Sequence, residues 1–112
     1  IFVIFVIDPM FAKADIIPTV EQYLAERNTS KYDQYIKGID SGLDWAAQEA
    51  YIKYNKQIFC KPGDIDLPIS QIKKLINVQL ERDNTFYSKY KDAPLIGLAL
   101  KNAYVRNFPC SK

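Results

Sequence analysis

Apolar and polar positions from Thr19 onward follow a succession of helical periods. Val20, Tyr23 and Leu24 share one face of a short segment that Thr19 can cap and that runs through Arg27. Asn28-Thr29-Ser30 makes a turn. A long second period follows from about Lys31 to Tyr54, with Tyr32, Tyr35, Ile36, Ile39, Leu43, Ala46, Ala47 and Ala50 as its apolar stripe. Cys60 to Ile69 holds Pro62, Gly63, Pro68 and two aspartates and reads as a loop. Ser70 is a natural N-cap for a third helix, Gln71 to Arg82, with Ile72, Leu75, Ile76 and Leu80 facing inward. Asp83-Asn84-Thr85 breaks that pattern, and Phe86 to Tyr90 adds one further turn. The last helix is expected from Pro94, suited to a first helical turn, to Asn107. Leu95, Ile96, Leu98, Ala99, Leu100, Ala103, Tyr104 and Val105 make it apolar on most sides, the pattern of a buried central helix. The expected fold is all-α, a small bundle of about four to five helices.

Gly38 and Gly42 lie one turn apart inside the second helix, and each costs about 1 kcal/mol relative to alanine. Two missing side chains on one face would let another helix backbone approach, with the last helix as the expected neighbour, and the dispersion gained would offset the propensity cost. A ligand entering the gap is the alternative.

The segment before Thr19 changes the picture of location. Ile1 to Ile7 is an unbroken apolar run, well short of the about 20 residues of a membrane span. Ala12-Lys13-Ala14 after it has the small-x-small form of a signal-peptidase site, so residues 1–14 read as a signal-peptide remnant and residues 15–112 as a single helical domain. Asp8-Pro9 interrupts the run and no basic region precedes it; a buried strand is the other reading. The export reading implies secretion across a membrane and no membrane association once the signal is removed. Cys60 and Cys110 are the only cysteines, and an even, small number in an exported chain argues for a disulfide, with two free thiols as the rival.

Composition mostly excludes. With 48% hydrophobic and 25% charged residues in 112, the chain is globular and one domain. A net charge of +2, with basic residues scattered, gives no footprint for nucleic acid. The absence of histidine removes the commonest general base and metal ligand and rules out Ser/His or Cys/His nucleophiles within the chain. No Gly-rich phosphate loop is present, and two cysteines alone do not complete a zinc site. Asp40 and Asp44 share a helix face, read as a solvated face with Lys37 nearby. Asp64 and Asp66 in the loop fall short of a calcium site. The expectation is a protein that binds rather than catalyses, with no cofactor and no metal.

Four stretches in order carry a family resemblance. They are Tyr35-Ile36-Lys37-Gly38-Ile39-Asp40-Ser41-Gly42, then Phe59-Cys60-Lys61-Pro62, then Ser70-Gln71-Ile72, and finally Ala99-Leu100 leading to Asn107-Phe108-Pro109-Cys110. Together they resemble the Rap/Tai-type immunity proteins over roughly Tyr32 to Cys110. The resemblance implies a small helical periplasmic protein that protects a bacterium from type VI secretion toxins of its siblings. Its partner would be a peptidoglycan amidase whose cleft it fills, and a homodimer is common in the family. It also implies that Cys60 pairs with Cys110. Many relatives carry a second cysteine pair, whereas Leu24 and Tyr32 stand in the comparable region here.

If the helix faces are committed to the core, loops are left as the contact surface. Lys61 to Leu67, with Lys61, Asp64 and Asp66, is the first candidate as a protruding, proline-stiffened loop. Asp83 to Asp92 is the second, with Phe86, Tyr87 and Tyr90 as anchors. A small disulfide-bonded periplasmic stress protein or chaperone is the alternative function.

Overall fold

The computed structural model describes residues 17–62 and 65–111, and these form five helices with no strand. The signal-peptide reading of residues 1–14 and the rival strand both lie outside the described residues. In chain order the helices are α1 (Val20–Glu26), α2 (Asp33–Tyr54), α3 (Ile69–Arg82), α4 (Asn84–Lys89) and α5 (Ile96–Asn107). The all-α bundle is as the periodicity requires.

α1 begins in a capping box. The Thr19 hydroxyl accepts from the Gln22 amide at 3.1 Å, and the Gln22 side chain accepts from the Thr19 amide at 3.0 Å. Its first two amides find partners on the link between α4 and α5: Val20 N–H donates to the Ala93 carbonyl and Glu21 N–H to that of Lys91. Val20 and Tyr23 are buried, while Leu24 lies 40% exposed at the edge of the same face.

α5 is the axis of the core. Ile96, Ala99, Leu100, Ala103 and Tyr104 are all fully buried, a spacing that makes one stripe along the helix rather than burial on most sides. Val105 turns to solvent. α3 lies along it with Ile72, Ile76 and Leu80 buried, and each such side chain contributes about 1.5–3 kcal/mol. Two helix starts differ from the sequence expectation. α3 begins at Ile69 behind Pro68, which blocks helix on its N-terminal side, so Ser70 lies inside the first turn and makes no cap. α5 begins at Ile96, and Pro94 stays in the preceding turn.

α2 crosses both α3 and α5. Tyr32 and Ile36 are buried and Tyr35, Ile39, Leu43 and Ala47 pack at the core's margin, whereas Ala46 is exposed. Gly38 and Gly42 do not face another helix. Both are exposed, and a Cβ at either would meet nothing within 4 Å. The reason is rotational, since two residues of helix put Gly38 nearly opposite Ile36. The close approach between α2 and α5 is made instead at Gly97, where a Cβ would lie 3.8 Å from Ile39 Cγ2. α2 ends on Asn55 in the left-handed region (φ 55°), with Asn55 and Lys56 amides donating to the Tyr51 and Ala50 carbonyls.

Cys60 and Cys110 are joined as a disulfide with Cα atoms 5.0 Å apart, closing the loop after α2 onto the tail after α5. No helix among the described residues is long and apolar enough to cross a membrane. A disulfide belongs to an oxidising compartment.

Candidate functional site

The disulfide does more than close a loop. Cys60 N–H donates to the Phe108 carbonyl at 2.7 Å, and the Phe59 ring packs 5.2 Å from that of Tyr104. These contacts turn the next side chain, Lys61, inward against α2. Its ammonium donates to Asp40 Oδ1 at 3.1 Å and to both oxygens of Asp44 at 2.9 and 3.0 Å. It also lies 4.6 Å from the Tyr104 ring centroid, on the face where a cation is attracted. From α5, the Tyr104 hydroxyl donates to Asp40 Oδ1. Burial, then the Asp40 hydrogen bond and the charges of Asp40 and Asp44, push the Tyr104 phenol far above its ordinary value, so it stays a donor.

This arrangement corrects two expectations. Asp40 is not on a solvated face: it is buried, and its relief comes from Lys61 rather than from the exposed Lys37. Lys61 is not the tip of a protruding loop, because its side chain is only 9% exposed. A buried carboxylate needs a cation and hydrogen bonds, and the disulfide-clamped segment supplies the nearest one. Asp44, with a 45% exposed side chain, is the one member of the cluster open to solvent.

Asp44 and Lys61 also line an open cleft of about 390 Å³. Ala47, Gln48 and Tyr51 of α2 form one wall, and Gln57, Phe59 and Ile65 belong to the other. Around it, large apolar side chains are left to solvent: Trp45 (68%), Tyr51, Ile52 (67%), Tyr54, Ile58 and Ile65. The helix faces are therefore not all committed to the core.

The second expected surface divides. Phe86 and Tyr90 are exposed, with ring centroids 5.1 Å apart, beside a shallow hollow of about 740 Å³ shared with Arg82, Lys89 and Leu98. Tyr87 is buried and is no surface anchor, since one residue of helix turns it from its neighbour's face into the core. Burial above all raises its phenol pKa. Asp66 is exposed, and Asp64 lies outside the described residues. Among the described residues no group of His, Cys, Asp or Glu is placed to hold a metal ion.

The Asp40–Lys61–Asp44–Tyr104 cluster was missed by the sequence reading, yet signals for it exist. Asp40 and Asp44 each follow a stripe position, Ile39 and Leu43, which places them at the edge of the buried face. Lys61 adjoins one cysteine and Tyr104 lies two turns before the other, so pairing the cysteines draws both toward α2. No protein-family model, curated protein or solved structure matches the chain.

Proposed function

We propose that this chain is a periplasmic immunity protein that binds a peptidoglycan amidase toxin and blocks its active-site cleft. One observation carries the reading: the outer half of α2 and the loop tied down behind it leave Trp45, Tyr51, Ile52, Tyr54, Ile58 and Ile65 exposed among the described residues. Scattered apolar residues are normal on a surface, but a run of large ones with aromatics among them marks a contact region for another protein. The four ordered sequence motifs and the disulfide give the reading its family and compartment.

The platform is stiff. The disulfide, the Lys61 cluster and the Asn55 cap fix the segment at three places, so little ordering entropy is lost when a partner binds. The exposed pair Phe86–Tyr90 lies on a separate element and supplies a second candidate contact.

The test is to mix the purified chain with candidate peptidoglycan amidase effectors, starting with any amidase encoded in the neighbouring gene, and follow peptidoglycan cleavage. Stoichiometric inhibition is expected, weakened by Trp45→Ser with Ile52→Ser. An amidase that binds nothing and cleaves at its normal rate overturns the proposal.

A further inference from the structure

We infer that the cleft between α2 and the disulfide-tied loop receives an arginine side chain carried by the partner protein, with Asp44 as its acceptor and the Tyr51 ring as its stacking surface. This rests on the partner-binding reading above and specifies the chemistry that one part of the surface recognises.

The charge count comes first. Two carboxylates, Asp40 and Asp44, share one ammonium, that of Lys61, so the cluster carries a surplus negative charge. Asp40 is covered and already accepts from both Lys61 and the Tyr104 hydroxyl. The surplus is therefore accessible only at Asp44, whose side chain is 45% exposed and which lines the cleft. Each Asp44 oxygen accepts once from Lys61 and keeps a second lone pair. Lys61 is the only cation among the described lining residues, and both cluster carboxylates already hold it.

The walls decide which cation fits. Ala47 and Ile65 suit an aliphatic stem, and the Tyr51 ring is 52% exposed in the same lining. A guanidinium is planar and weakly hydrated, so it stacks on an aromatic face while donating to a carboxylate at its edge. An ammonium is strongly hydrated and a point donor, and gains less from such a wall.

The experiment titrates the intact, oxidised chain with the peptide Ac-Leu-Arg-Leu-NH2 and follows backbone amides by NMR. Shifts are expected at Ala47, Gln48, Tyr51 and Lys61. The citrulline analogue, uncharged but of the same shape, should bind about five- to tenfold more weakly, and so should the arginine peptide to Asp44→Asn. Tyr51→Ala should give a similar loss without touching the ion cluster, which covers the case of Asp44→Asn failing to fold. Equal binding of the two peptides, shifts centred on Phe86 and Tyr90, or no shifts at all overturn the inference. Amidase inhibition by Asp44→Asn separates the two proposals: full inhibition removes the arginine site and leaves the immunity reading standing.

Discussion

The two halves of α2 make opposite uses of one helix. From Tyr32 to Leu43 its inner face is built into the core with Ile36 fully buried and Ile39 against Gly97. From Trp45 to Tyr54 it contributes no buried residue at all. Tyr54 is five helical turns from Ile36 and points the same way, yet it is 69% exposed because α3 and α5 no longer lie beneath it. One helix thus carries apolar side chains in two settings, one filling a core and one left open to solvent. Beside the outer half runs the loop after α2, which a covalent link and the Lys61 charge cluster tie down.

That contrast can be broken at its covalent link first. Cys110→Ser should lower stability by about 4 kcal/mol, the loop-closure value for a separation of 50 residues. Urea unfolding measures it, and a loss below about 1 kcal/mol would mean that Phe59 packing alone secures the loop. Next in size is Lys61→Met, which leaves Asp40 buried without its cation and should cost about 3 kcal/mol. Adding Asp40→Asn to that variant should recover most of the loss, because an amide oxygen still accepts from Tyr104 and no buried charge remains. A double variant as unstable as the single one would show that the loss comes from the ammonium's contacts with Asp44 and the Tyr104 ring rather than from an unpaired Asp40.

Alkali sharpens the comparison on the core side. Burial pushes the Tyr23 phenol up to about 12 from its ordinary 10.0, and Tyr104 further. Above pH 10 the unfolded chain releases these protons while the folded chain keeps them. Stability is therefore full below about pH 10 and falls as pH rises through 12. Urea midpoints at a series of pH values check the slope, and Tyr104→Phe should flatten it; an unchanged slope would locate the loss elsewhere.

The smaller effects test the outer face. Gly42→Ala places a methyl where nothing lies within 4 Å and should stabilise by up to about 1 kcal/mol. Loss of stability instead would reveal a neighbour at that face in solution. Trp45→Ser should change stability by no more than about 0.5 kcal/mol while weakening amidase inhibition, read from the same two assays.

Much of the fold was legible. Helical periodicity placed four of the helices, and Thr19 was readable as a cap; the six-residue α4 was expected only as one further turn. Periodicity reports which side of a helix is apolar, however, and not how far along the core reaches. Ala46 and Ala50 therefore looked equivalent to Ile36. The same blindness misplaced the glycines, whose spacing suggests a contact but whose direction depends on where α5 lies. Lys61 was legible only through its place beside Cys60, for a different reason. Its inward turn is set by a covalent bond at its neighbour and a hydrogen bond to Phe108, neither of which has a local pattern.

The position of the sulfur link has a last consequence. It joins the segment before the exposed stretch at Ile65–Asp66 to the far end of the chain. A protease that cuts there severs the backbone without releasing either fragment, and Phe59 and Lys61 remain seated on α5 and α2. The nicked form should run as one species until reductant is added. In surroundings rich in proteolytic enzymes, the molecule would tolerate a wound at this exposed stretch.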